Sequence, residues 1–498
     1  MPAKPVNLPS AFSASARQNA AKPAIFWGDA EIQYRQLERQ VRGVAHALRH
    51  DFEVQKGDRV GIWLKNCPEF APAVFGILAV GAVVVPINNF LKPNEVSFIL
   101  EDGEIDLLIT DASMEEATAK LREGRPSLRQ LLVATFQESD EPFASPPLLS
   151  SDLAVIIYTS GTTGHPKGAM LSHGNLLANV ESCRKALEAV GGDRFLLALP
   201  MFHSFMLTVC VFLPLLVGGS FVLVKTLHPP KNIVLEIMQK RVTLLPAVPQ
   251  FFRALTHGGV PTDLPLRVCI SGGAPLPGEI LKEFTARFPF PLLEGYGLSE
   301  ASPVCSFNPI CGPWKSGSIG VPIDAVEMSV QDENGRILPD GETGEVCVRG
   351  SNVMLGYWNQ PGETAKVMRD HWLLTGDVGH RDADGYFYIT DRKKDMLLVN
   401  GINVYPREVE EVLYQYPGVK EAAVIGVMDT RKGEQPVGFI SWHDGAAGDP
   451  QLALDFARER LADFKVPRRL EVLPALPRNA TGKILKTELR RMIESAKA

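Results

Sequence analysis

Short β-branched runs alternate with apolar segments of helical length from about residue 20 to residue 390. Asp58-Arg59-Val60-Gly61-Ile62-Trp63-Leu64 precedes an apolar stretch over 70–80, and Ala82-Val83-Val84-Val85-Pro86 follows it. This strand–helix–strand rhythm predicts an α/β class with mostly parallel sheets covered by helices. The longest apolar stretch, residues 205–217, contains Pro214 and stops at Gly218-Gly219. A bilayer needs about 20 apolar residues in one helix, so this segment predicts a buried helix that turns into the strand Phe221-Val222-Leu223-Val224.

After Asp391 the rhythm changes. A helix beginning near Pro406, strands at 422–427 and 437–440 and a helix over 452–464 predict a small α+β domain. Pro406 suits a helix start, where its missing N–H would have no partner anyway. The expected division is a large N-terminal domain over 1–391 and a small mobile C-terminal domain over 392–498. The charged junction Asp391-Arg392-Lys393-Lys394-Asp395 has the character of a hinge. With 498 residues the chain exceeds what a single core holds. Residues 138–147 (ESDEPFASPP) carry enough breakers to be a surface connection.

The balance of 51 basic and 57 acidic side chains, net −6, provides no global positive field for a nucleic-acid partner. Seven scattered cysteines without CxxC pairs argue for reduced, mostly buried thiols. The first twenty residues lack the apolar centre of a signal peptide. A cytoplasmic protein with no transmembrane segment is the expectation.

The chemistry begins at Tyr158-Thr159-Ser160-Gly161-Thr162-Thr163-Gly164-His165-Pro166-Lys167-Gly168, immediately after the apolar run 153–157. A strand feeding a loop of glycines and hydroxyls presents N–H and O–H donors to an anion, and Lys167 adds charge. It departs from the GxxxxGK[ST] phosphate loop, because Gly168 stands where a magnesium-binding hydroxyl would be.

With this segment the chain resembles the adenylate-forming acyl-CoA synthetases, a superfamily that also holds aryl-CoA ligases, luciferases and peptide-synthetase adenylation domains. The resemblance extends over nearly the whole chain. It implies that Thr159, Ser160, Gly161, Thr162, Thr163, Gly164 and Lys167 cradle the phosphates of ATP. Gly273, Ala274 and Pro275, in Ser271-Gly272-Gly273-Ala274-Pro275, match a turn along adenine and the acyl pocket. In Glu294-Gly295-Tyr296-Gly297-Leu298-Ser299-Glu300 the family pattern implies Tyr296 stacked on adenine, a phosphate contact from the Ser299 hydroxyl and Mg²⁺ on Glu300. Ser299 stands where threonine is more common, and the hydroxyl is kept. Asp377 matches a ribose-binding aspartate, whose ionised carboxylate accepts from two hydroxyls at once. Arg392 matches a second ribose or phosphate contact. Lys483, in Pro477-Arg478-Asn479-Ala480-Thr481-Gly482-Lys483, matches a mobile catalytic lysine. His203 matches a gate beside the acyl pocket, Lys394 a hinge, and Gly401 a position that lets the pantetheine of CoA pass the backbone. Met206 departs from a glycine frequent at that position, which leaves the chain length of the acid open.

The implied activity is ATP-dependent adenylation of a small-molecule carboxylic acid followed by acyl transfer to coenzyme A, with AMP and pyrophosphate released. A medium- or long-chain fatty acid leads, on the strength of the apolar helix after His203. The alternatives are an aryl acid, transfer to an amine or to an external carrier protein, and a non-catalytic nucleotide-binding regulator. The presence of Glu300, Asp377 and Lys483 together speaks against the regulator. The oligomeric state, a homodimer included, stays open.

Overall fold

The computed structural model describes residues 6–159, 166–226, 231–399, 402–429, 433–443, 445–446, 448–479 and 482–495. The parallel strands expected from the rhythm are present. Arg59–Trp63 pairs in parallel with Val83–Pro86 on one side and Leu107–Thr110 on the other. Leu153–Thr159 joins them, and Lys167–Ser172 returns antiparallel beside it. These belong to a seven-stranded sheet. A second, fourteen-stranded sheet has its parallel part at Phe195, Phe221, Leu244, Val268 and Leu292. Antiparallel strands from Val304–Phe307 to Phe387–Arg392 extend that sheet.

One apolar core joins the two sheets through the helices between them. Helix Phe70–Ala79 is buried along its whole length, as its unbroken apolar sequence requires. Gly76 allows the helix Tyr34–His50 to come close, since a Cβ there would lie 2.5 Å from the Val44 side chain. A fully buried Phe, Leu or Val contributes about 1.5–3 kcal/mol, and Phe75 and Phe212, both at 0% exposure, meet edge to face in this core.

The apolar run after His203 is helical with a local widening. Ser204–Met206 is α-helical, Leu207–Phe212 is a π-helix, and Leu213–Val217 resumes the α form. Pro214 has no N–H for the Cys210 carbonyl, and its ring would crowd that carbonyl in a regular α turn. The wider turn avoids the clash, with the Leu213 N–H donating to the Thr208 carbonyl. Gly218 ends the helix at φ +79°, a left-handed cap. Among the described residues no helix is long and apolar enough to cross a membrane.

The small C-terminal domain is a five-stranded sheet with its own helices. Helix Pro406–Tyr414 starts at its proline as expected, and Pro450–Arg458 is shorter than the sequence pattern indicates. The last strand of the large sheet ends at Arg392 and the first of the small sheet begins at Leu397, so Lys394 lies on the connection. Five of the seven cysteines are buried, and all seven are free thiols.

Candidate active site

The cleft forms where the large sheet's antiparallel strands meet the C-terminal domain. Asp377 and Arg392 face each other in register on neighbouring strands. Arg392 Nε is 3.0 Å from Asp377 Oδ1, and the Tyr296 hydroxyl donates to Asp377 Oδ2 at 2.5 Å. A carboxylate offers about four lone-pair directions, so Asp377 retains acceptor capacity on both oxygens. The adjacent carboxylate raises the Arg392 pKa, which keeps that side chain a permanent cation.

Lys483 reaches this pair from the C-terminal domain. Its loop is closed by Gly482 at φ +81°, whose N–H donates to the Asn479 carbonyl at 2.9 Å while the Lys483 N–H donates to Asn479 Oδ1 at 2.9 Å. Arg478 braces the same loop by donating to the Gly482 carbonyl and, at 2.7 Å, to Glu421. Gly482 comes close to Val248 of the large domain. Burial in the cleft pushes the Lys483 ammonium down to about 8, with Arg392 adding to the shift and Asp377 opposing it.

Glu300 lies on the 3₁₀ turn Ser299–Ala301. The Tyr357 hydroxyl donates to Glu300 Oε1 at 2.8 Å, and Thr159 Oγ1 lies 3.5 Å from the same oxygen. Among the described residues Oε2 has no hydrogen-bond partner. Among the described residues no group of three or more His, Cys, Asp or Glu could cage a metal. One oriented carboxylate beside a polyphosphate suits Mg²⁺, which keeps waters and is commonly held by one or two carboxylates plus substrate phosphates. The residues present therefore fit Mg²⁺ arriving with the nucleotide.

His203 caps the helix that carries the expected acyl wall. Its Nδ1 accepts the Phe205 N–H at 3.3 Å, which puts the proton of the neutral ring on Nε2. Burial pushes the ring down to about 4, so it is neutral through the physiological range. The Phe205 ring lies against Gly272, where a Cβ would meet it at 3.1 Å. Beyond Gly272, Gly273 at φ +79° and Pro275 are exposed and Ala274 is half-buried.

Other expected residues have partners within the protein. Lys167 is buried, ion-paired with Glu363 and set over the Tyr357 ring at 5.3 Å. Gly295 and Gly297 make room for the neighbouring strand: a Cβ would meet the Phe307 ring at 2.4 Å and the Pro303 carbonyl oxygen at 2.1 Å respectively. Glu294 is buried, accepts the Leu276 N–H at 3.0 Å and is pushed up to about 7 by burial. Lys394 is exposed. Ser160, Gly161, Thr162, Thr163, Gly164 and Gly401 lie outside the described residues.

Two interdomain residues escaped the sequence reading. Arg407 donates from Nη1 to the Ile389 carbonyl at 2.9 Å, and its Nη2 lies 3.9 Å from Glu294 Oε1. Arg253, 8% exposed on the helix Pro249–His257, donates to the Val419 carbonyl at 3.3 Å and also meets the Lys420 carbonyl and His443 Nε2. Neither sits in a motif, because each acts on backbone carbonyls that only the fold brings near. Tyr357, which donates to Glu300 Oε1, and Ser204, with its Oγ 3.0 Å from Ser299 Oγ, were missed because their side-chain partners are distant in sequence.

A lysine of the C-terminal domain lies near a tyrosine, a carboxylate and an arginine carried on strands of the large sheet. The chain belongs to the AMP-binding enzyme family: the AMP-binding enzyme model matches residues 12–358, and the model of the AMP-binding enzyme C-terminal domain matches residues 408–483. It is 37% identical to a long-chain-fatty-acid–CoA ligase of Bacillus subtilis over 89% of this chain and 86% of that one. It is 38% identical to a feruloyl-CoA synthase of an Amycolatopsis species over 96% and 97%. Among solved structures, ATP-bound MatB from Rhodopseudomonas palustris aligns at TM-score 0.91 and 31% identity over 99% of this chain and 100% of that one. The apo form of MatB aligns at TM-score 0.79 and 30% identity over 99% and 100%.

Proposed function

We propose that this acyl-CoA synthetase acts on an apolar carboxylic acid, a medium- or long-chain fatty acid, through the cleft between its two domains. The observation that carries the reading is the apolar segment that starts at His203: a neutral imidazole, then Phe205 and Met206 at 8% and 0% exposure, with no charged group through Val217. In the first step the substrate carboxylate attacks the α-phosphorus of ATP, a C–O–P bond forms and the bond to pyrophosphate breaks. Both reactants are anionic, and two like charges about 4 Å apart repel by roughly 4 kcal/mol at an effective dielectric near 20. Lys483 offsets this as charge moves onto the phosphate oxygens. Tyr296 and Asp377 hold adenosine, Arg392 neutralises Asp377, and Thr159 with the segment 160–164 and the Ser299 hydroxyl meets the phosphates. Glu300, aligned by Tyr357, holds Mg²⁺, which when bound neutralises phosphate charge.

In the second step the CoA thiol attacks the acyl carbonyl carbon, the thioester bond forms and AMP leaves with the electron pair. The same cleft has to serve both steps, so Lys483 must withdraw. We place the hinge at Lys394, the boundary between domains after Asp391, and the pantetheine path at Gly401. The higher similarity to ATP-bound than to apo MatB supports reading the present arrangement as the adenylating one.

A second reading, an aryl acid, is favoured by the Phe205 ring lying against Gly272, where a Cβ would meet it at 3.1 Å. A series of straight-chain acids separates the two. Each buried methylene contributes about 0.8 kcal/mol, so kcat/KM should rise roughly fourfold per carbon until the channel ends. A flat series with high activity on cinnamate analogues would contradict the fatty-acid reading.

A further inference from the structure

Ser204 opens the helix behind the expected acyl pocket, and Ser299 opens the turn that carries Glu300. Their hydroxyl oxygens are 3.0 Å apart. Ser204 is 3% exposed, and among the described residues Ser299 is the only hydrogen-bond partner of its hydroxyl. Ser299, by contrast, is half-buried at the edge of the cleft. The direction of the bond follows from this asymmetry. If Ser299 donated, the buried Ser204 proton would have no acceptor, which carries a desolvation cost. If Ser204 donates, its proton is satisfied inside the protein and the Ser299 proton is left over.

Position and angle are held as well. One turn along, Thr208 Oγ1 donates to the Ser302 carbonyl at 2.9 Å, so the helix and the turn are tied at two points. Ser302 itself is at φ +69° and donates from Oγ to the Asn352 carbonyl at 2.8 Å. A serine side chain has three staggered rotamers, whereas a β-branched threonine is stiff at χ1. Ser299 lacks that stiffness of its own.

We propose that Ser204 is a positioning residue for adenylation: its buried hydroxyl donates to Ser299 Oγ, fixes the Ser299 rotamer and leaves the Ser299 proton aimed at a phosphate oxygen. This rests on Ser299 meeting phosphate, and the test separates the two claims. Acid-dependent ATP–pyrophosphate exchange is measured for Ser204→Ala in three backgrounds, with native Ser299, with Ser299→Ala and with Ser299→Thr. Ser204→Ala alone should lower kcat about tenfold with KM for the acid changed by less than about twofold, a smaller loss than deleting a charge-stabilising donor outright. It should cost nothing further beside Ser299→Ala, and less than about threefold beside Ser299→Thr, where χ1 is already fixed.

The same loss in all three backgrounds would mean that Ser204 acts through packing and would overturn the proposal. Unchanged activity in Ser204→Ala with impaired Ser299→Ala would overturn the role of Ser204 alone. Unimpaired Ser299→Ala would overturn the phosphate reading beneath it. Where Ser204→Ala does not fold, Ser204→Gly, which likewise removes the hydroxyl, replaces it in the same three backgrounds under the same criteria.

Discussion

At the scale of single residues, the site is built from side chains whose charge state the cleft itself sets. Lys483 is the clearest case. Withdrawal from water and the nearby Arg392 both disfavour its ammonium, and the outcome is a pKa of about 8. A lysine whose pKa is lowered stays charged below that value and loses its proton as pH rises through it. kcat/KM for adenylation, which reports the free enzyme, should therefore fall above about pH 8. Under kcat conditions the limb should move to higher pH, because bound ATP adds negative charge. Lys483→Arg, whose guanidinium does not titrate in this range, should remove the limb while lowering the plateau. A profile that is flat from pH 7 to 10 in the native enzyme would contradict the assignment. His203 titrates far below this window, so it contributes nothing to the limb.

At the scale of elements, much was legible. The alternating runs place the parallel strands and the helix Phe70–Ala79 correctly, because both depend on burial patterns that the chain carries locally. The motifs point to Asp377, Arg392, Tyr296 and Lys483, which the fold does bring to one cleft. What stayed hidden depends on tertiary neighbours. Lys167 reads as a free phosphate-binding cation, yet Glu363 is 196 positions away in sequence and beside it in space. Gly295 and Gly297 read only as members of the nucleotide motif, and the fold sets Phe307 and Pro303 where their Cβ atoms would be. The π-turn over Leu207–Phe212 follows from Pro214, but periodicity alone reads it as ordinary helix. The loop that carries Lys483 shows how one backbone position controls an element. Gly482 at φ +81° has ordinary clearance to Val248, so Gly482→Ala meets backbone strain rather than a clash. Strain of about 1–2 kcal/mol in that loop should cut pyrophosphate exchange by roughly tenfold with Tm changed by no more than about 2 °C. A full loss of folded protein would show that the loop is structural rather than catalytic.

At the scale of the whole molecule, two domains meet through few but costly groups. Arg253 donates a buried cation to carbonyls of the C-terminal domain, and Arg407 anchors that domain beside Ile389 and Glu294. These bonds belong to the arrangement in which Lys483 lies near Asp377 and Arg392, and under the proposed two-step use of the cleft they would have to break between the steps. The central claim is that one cleft serves two reactions and that Lys483 serves only the first. The most direct measurement compares Lys483→Ala with the native enzyme in separated half-reactions: acid-dependent pyrophosphate release, and thioester formation from supplied acyl-AMP and CoA. A loss of about a hundredfold or more is expected in the first, with near-native rates in the second. Equal loss in both would contradict the confinement of Lys483 to adenylation.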